Sequence, residues 1–150
     1  VRGAYMEKER IRANKYNYDS PIQDSKEESD KDYNAAIDVC LANLDSTSLM
    51  LATHNEESCQ ILVDKMEEKW ISKTHPNIWF SQLYGMSDHL SFNLAAEGYQ
   101  VAKYIPYGPV IEVVPYLIRR AEENSSAQSQ SGRELDLIKD ELKRRKKAKN

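Results

Sequence analysis

The stretch LMLATHNEESCQILVDKM, residues 49–66, decides the fold. Leu49 to His54 is apolar almost without interruption and predicts a strand. Thr53, His54 and Asn55 then break the run. From Glu56 the period changes: Cys59, Leu62, Val63 and Met66, followed by Trp70, fall on one side of a helix predicted over Glu56 to Ile71. A strand this apolar is expected to be covered on both faces, as in a parallel sheet flanked by helices.

The same alternation continues outward. Strands are predicted at Val1 to Tyr5, Ile78 to Leu83 and Val101 to Tyr107. Helices are predicted at Asp32 to Leu44, Ser87 to Glu97 with Gly98 as a stop, and Pro109 to Asn124. Strand and helix alternate four times, which implies an α/β class with a parallel sheet and helical crossovers. Four such units make half of an eight-fold barrel or most of a doubly wound sheet, and periodicity does not choose between them. Each predicted strand ends in small or polar residues (GAY, THN, QLYG, PYG). In parallel α/β folds, ligands bind at those C-terminal ends; such residues are also ordinary turn formers.

Between these units, Asn14 to Asp30 reads as a long polar surface connection leading into a helix capped by one of its Ser or Asp residues. After Asn124, SSAQSQSG reads as a flexible linker over 125–133. A last helix over 134–150 carries a thin stripe of Leu135, Ile138 and Leu142 and ends in KRRKKAK. Basic residues suit a helix C-terminus for dipole reasons, and the same run would suit an anionic membrane surface. The chain opens on VRGAY without Met, in what reads as mid-strand, so we expect a piece of a longer protein.

Composition narrows the function classes. The chain has 150 residues, 40% hydrophobic and 30% charged, within the globular range. A net charge of -3 argues against nucleic acid as a main partner. No apolar run approaches the roughly 18 residues of a membrane span. Cys40 and Cys59 sit in helical patterns without metal-spaced partners and read as thiols in a reducing compartment. There is no G-x-S-x-G, no metal-spaced histidine pair and no glycine-rich phosphate loop. His75 precedes a proline and reads as inert, His89 as an exposed first-turn residue. His54 closes a buried strand and gains interest only if the strand end faces a ligand.

The helix over PYLIRRAEEN (115–124) poses a separate question. On a helical wheel Ile111, Val114, Leu117, Ile118 and Ala121 share one face, and Glu112, Tyr116, Arg119, Arg120 and Glu123 the other. Pro115 is expected to kink it at the carbonyl of Ile111. Spacing favours a surface helix whose arginines pair with nearby glutamates at about 0.2–0.5 kcal/mol each. With the polar face turned inward, two guanidiniums would instead suit a carboxylate.

Five motifs taken together point further. VRGAY (1–5), ATHN (52–55), QLYGM (82–86), YIPYGP (104–109) and PYLIRRAEEN (115–124) resemble, in order and separation, the flavin-dependent proline dehydrogenase family. The resemblance spans Val1 to about Asn124 and implies the second half of a distorted (β/α)8 TIM barrel, with FAD at the C-terminal ends of the strands. It implies that Arg119 and Arg120 bind the proline carboxylate, that Glu123 pairs with one of them, and that Tyr104 and Leu83 pack around the proline ring. Arg2, Gly3, Ala4, Thr53, His54 and Gln82 would lie along the flavin, and Tyr5 is a further active-site candidate. Arg2 stands where some members have Lys, which keeps the charge. No catalytic or metal-binding residue is expected within this stretch. The family also uses an early-strand lysine and aspartate, and an arginine just before VRGAY, none of which is in this chain.

The implied activity is oxidation of L-proline to 1-pyrroline-5-carboxylate, with electrons passed to a quinone. The basic tail could then act as a peripheral membrane contact. The enzyme would lie at the inner face of a bacterial membrane or in mitochondria. A half-barrel leaves strand edges unpaired, so this stretch alone is expected to be inactive. Two alternatives stand beside this: a hydroxyproline dehydrogenase, against which the bulk of Tyr104 argues, and a barrel-derived interaction module that binds no flavin.

Overall fold

A computed structural model describes residues 5–126, with side chains to 118, and residues 136, 139, 142–144 and 146. The chain divides into two compact units, Val1–Tyr104 and Ile105–Asn150. The elements in order are α1 (Met6–Tyr16), α2 (Lys26–Ala42), β1 (Leu49–Ala52), α3 (Glu56–Glu68), β2 (Ile78–Leu83), α4 (Asp88–Ala96), β3 (Val101–Tyr104) and α5 (Val110–Ser126).

The three strands form one parallel sheet in the order β1-β2-β3. Leu51 pairs with Phe80 and Phe80 with Val101, a row that faces the helices. Ile37 and Leu41 of α2, Cys59, Leu62 and Met66 of α3, and Leu94 of α4 close over Leu51, Ile78 and Phe80 as a single core. Tyr99 completes it, edge-on to Phe80 at 5.5 Å. Each fully buried apolar side chain here stabilises by about 1.5–3 kcal/mol.

Within this stretch the core lies on one side of the sheet. Successive residues alternate sides. The opposite row therefore carries Met50 paired with Trp79 and Leu83 paired with Tyr104. Met50 is 56% exposed and Tyr104 53%. Consecutive parallel crossovers take the same hand and so stack their helices on one side.

The helix ends follow local chemistry. Ser25 caps α2 by accepting from the Glu28 amide at 3.1 Å. Asn55 caps α3 by accepting from the Ser58 amide at 3.1 Å, with Glu56 and Glu57 in the first turn. Gly98, at φ 91, ends α4, and the Tyr99 amide reaches back to the Leu94 carbonyl at 3.0 Å.

Several boundaries differ from expectation. Residues 1–4 of the expected first strand lie outside the described residues, and Tyr5 is a left-handed turn residue (φ 60) before α1, not strand. The helix α1 occupies MEKERIRANKY, which sequence periodicity passed over. Good helix formers, Glu7 and Glu9 in the first turn and Lys15 in the last favour it, with only Ala13 buried. The expected connection shrinks accordingly, and α2 begins at Lys26 rather than Asp32. The sheet ends earlier than expected, at Ala52 in β1 and Tyr104 in β3.

The end of α3 also moves, from Ile71 to Glu68. Trp70 adopts φ 55, and the Ile71 amide reaches the Met66 carbonyl at 2.8 Å, a Schellman turn. The turn sends the Trp70 ring outward, 95% exposed instead of on the buried side.

In the second unit, α5 runs through Ser126, two residues into the expected linker; the rest of that linker, 127–133, lies outside the described residues. The Glu112 and Val113 amides are satisfied by the Pro109 carbonyl at 2.9 and 3.0 Å, and Pro115 lies within the helix. Ile111, Val114, Leu117 and Ile118, the expected apolar face, are exposed, while Val113 and Tyr116 are half-buried. Further on, the described residues 136, 139, 142–144 and 146 are helical.

Candidate active site at the strand ends

The C-terminal ends of β1 and β2, with the first turns of α3 and α4, form a laced polar rim. Its hub is Gln82, 2% exposed and turned toward the helices. Gln82 Nε2 donates to the Thr53 carbonyl at 3.3 Å, and its Oε1 accepts from Ser91 Oγ at 2.8 Å. A buried amide left unpaired would be costly, so this arrangement fixes the ends of β1 and β2 against α4. Thr53 is buried too; its amide donates to the Ser81 carbonyl at 3.2 Å and its Oγ1 accepts from the Asn55 amide at 3.1 Å.

His54 is half-buried, with Nδ1 2.9 Å from Ser87 Oγ. Lys103, paired in register with Gln82, reaches the turn before α4. Its Nζ donates to the Met86 carbonyl at 2.7 Å and pairs with Asp88 Oδ1 at 2.7 Å. His89 is half-buried and 2.8 Å from Glu56 Oε1, joining α4 to α3. This corrects the expectation of an exposed His89. His75 is a turn former: its Nδ1 accepts from the Asn77 amide at 3.2 Å.

The expected site residues therefore separate by face. Leu83 and Tyr104 are cross-strand neighbours on the open face, and the Tyr84 amide donates to the Tyr104 carbonyl at 2.9 Å. Thr53 and Gln82 lie on the helix side, their polar groups already engaged. Tyr5 is exposed at the start of α1. Arg2, Gly3 and Ala4 lie outside the described residues. Arg119, Arg120 and Glu123 fall within α5, but their side chains lie outside the described ones.

Sequence reasoning missed Ser87, Lys103 and the Glu56–His89 pair. The available signal was faint: a lone lysine in VAKY, two residues after Val101 and so on the same side of the strand. Ser87 falls in the predicted helix as its first residue, with no role of its own. Among the described residues, no group of three His, Cys, Asp or Glu could hold a metal ion, and no helix is long and apolar enough to cross a membrane.

A parallel α/β unit with helices on one side, an open face on the other and its polar rim at the strand ends is part of a barrel of the (β/α)8 kind. A search of solved structures agrees. The chain superposes on proline utilization A (PutA) from Bdellovibrio bacteriovorus inactivated by N-propargylglycine, with a TM-score of 0.73 and 30% identity, over 81% of this chain and 12% of that one. The family model for proline dehydrogenase matches residues 1–133. This chain belongs to the proline dehydrogenase family.

Among curated relatives, "Proline dehydrogenase 1, mitochondrial" of Caenorhabditis elegans is 45% identical, covering 97% of this chain and 24% of that protein. "Hydroxyproline dehydrogenase" of Xenopus laevis is 44% identical, covering 97% of this chain and 32% of that protein. The chain thus spans about a quarter to a third of the length of these relatives.

Proposed function

We propose that this chain is the C-terminal part of the catalytic barrel, over residues 1–124, of an enzyme that oxidises L-proline to 1-pyrroline-5-carboxylate with FAD. A linker over 125–133 and a basic helix over 134–150 would follow. The observation that carries this reading is the family match over residues 1–133, which runs through the strand-end residues and the paired arginines.

The rim suits a flavin in a specific way. Leu83 and Tyr104 offer an apolar and aromatic pair on the open face, and at the end of β1 the His54 ring is held by Ser87. Gln82 and Thr53 have their polar side-chain atoms engaged, so they would support the cofactor from behind, as the backing of the rim. Arg2, Gly3 and Ala4 would border the same cofactor. Bound FAD would supply the acceptor for hydride from the ring carbon beside the proline nitrogen.

The chain's own contribution is position. Arg119 and Arg120 would hold the substrate carboxylate through forked, charge-assisted hydrogen bonds, with Glu123 holding one guanidinium. Tyr104 and Leu83 would pack on the pyrrolidine ring and exclude water from it. Fixing the carboxylate at one end and the ring at the other leaves little rotational freedom, an orientation effect on rate. Electrons would pass on to a quinone, with the basic tail near an anionic membrane surface. The naming of the Caenorhabditis elegans relative supports a mitochondrial location.

The test of the clamp is kinetic. Arg119→Met or Arg120→Met, in the protein at its full encoded length, raises KM for proline by about tenfold or more, because a hydrogen bond to a charged group contributes about 1.5–3 kcal/mol. An unchanged KM refutes it.

A second reading has one observation in its favour, the Xenopus laevis relative named hydroxyproline dehydrogenase. The phenol of Tyr104 on the ring-binding face leaves little room for a ring hydroxyl, which favours proline.

A further inference from the structure

Ser87 stands at the position of a helix cap, yet its side chain caps nothing. It is the residue before α4, held at φ 49, and its hydroxyl accepts no amide of the first turn. A serine at this position ordinarily satisfies one of the first-turn amides. Here the hydroxyl lies 2.9 Å from His54 Nδ1, a contact between residues 33 apart in the chain.

The backbone around Ser87 is held in place from several sides. Lys103 Nζ binds the residue before it through the Met86 carbonyl and the residue after it through Asp88, both at 2.7 Å. The Ser91 amide donates to the Ser87 carbonyl at 3.1 Å, and the Ser91 hydroxyl lies 3.2 Å from the same carbonyl, its alternative acceptor to Gln82. Ser87 itself is buried. Its hydroxyl therefore has a fixed place, and that place is beside the imidazole at the end of β1.

We propose that Ser87 is a positioning residue for His54, and that Lys103 holds the turn from which it acts. The hydrogen bond between the serine hydroxyl and Nδ1 fixes one tautomer of the imidazole and stops rotation of the ring. His54 is thereby presented to the strand-end ligand in one orientation, with Nε2 left to face an atom of the cofactor. This rests on the reading of the rim as a flavin site.

Ser87→Gly is the informative substitution, because glycine adopts φ 49 without strain while the hydroxyl is removed together with its methylene. The experiment is a double-mutant cycle with His54→Ala in the protein at its full encoded length, reading FAD affinity by flavin fluorescence and the visible spectrum of bound flavin. Ser87→Gly is expected to weaken FAD binding about 3- to 10-fold, the range of one positioned hydrogen bond, and to shift the spectrum. In the His54→Ala background the same substitution changes affinity less than about twofold, because its partner is gone. Lys103→Met follows the same pattern with a smaller effect.

Equal losses in both backgrounds would show a merely structural serine and overturn the proposal. So would unchanged affinity in Ser87→Gly. A parent protein that binds no FAD would overturn the flavin site itself and this proposal with it; flavin binding with an additive cycle overturns only the role of Ser87.

Discussion

Replacing Gln82 by leucine tests the strand-end rim as a structural unit. The substitution nearly conserves volume but removes both hydrogen bonds of a side chain that is 2% exposed. The two losses are unequal. Ser91 Oγ, which donates to Gln82 Oε1 at 2.8 Å, retains the Ser87 carbonyl at 3.2 Å as an alternative acceptor. The Thr53 carbonyl loses the Nε2 donor at 3.3 Å. One exchanged bond costs about 0.5–1.5 kcal/mol, and one stranded buried carbonyl about 1–3 kcal/mol. The expected destabilisation is therefore about 2–4 kcal/mol, measured by urea unfolding of the flavin-stripped protein so that cofactor binding does not contribute. Gln82→Glu keeps the acceptor for Ser91 but sets a carboxylate against the Thr53 carbonyl, so it should be worse at neutral pH and partly recover as the carboxyl protonates. If Gln82→Leu stays within about 0.5 kcal/mol of the parent, the surface-mutation range, the rim is not held by this amide.

Other expectations follow from single positions. Trp70→Gly should stabilise by about 0.5–1 kcal/mol in urea unfolding, since it relieves a left-handed residue costing about 1–2 kcal/mol and glycine gains entropy when unfolded; destabilisation would contradict the exposed Schellman turn. The Tyr99 phenol is pushed above the ordinary 10.0 chiefly by burial, against the pull of Lys73. Because its folded value is raised, its contribution to stability is present below pH 10.0 and is lost as pH rises through the folded value. An ultraviolet titration should show that the tyrosine missing from Tyr99→Phe ionises later than a free phenol; ionisation at or below the ordinary value would refute the burial. Tyr104→Ser should raise the hydroxyproline-to-proline ratio of kcat/KM, and an unchanged ratio would end the steric account.

The parts of the fold that were legible had a strong period. β1 with α3, and β2 with α4, were readable because a continuous apolar run gives way to residues spaced by three and four, as at Leu49–Ala52 and Cys59–Met66. α1 was not, because a charged helix with one buried alanine carries no such stripe. Trp70 misled for another reason. Its spacing continues the buried face of α3, but a left-handed turn intervenes, and only backbone geometry reveals it. At the rim, the five-motif resemblance drew attention to His54, Leu83 and Tyr104. It did not show that Leu83 and Tyr104 share the open face while Thr53 and Gln82 face the helices, because that depends on register. Ser87 and Lys103 were hidden by looking ordinary. A serine before a helix implies a cap, and nothing local shows that its hydroxyl is directed to a histidine 33 residues away.

The most direct test of the account is anaerobic reduction of the purified protein at its full encoded length. The expected result is a yellow protein whose visible flavin absorbance bleaches on addition of L-proline. The product should be trapped by o-aminobenzaldehyde as the 1-pyrroline-5-carboxylate adduct. A colourless protein, or a bound flavin that proline leaves oxidised, would contradict it.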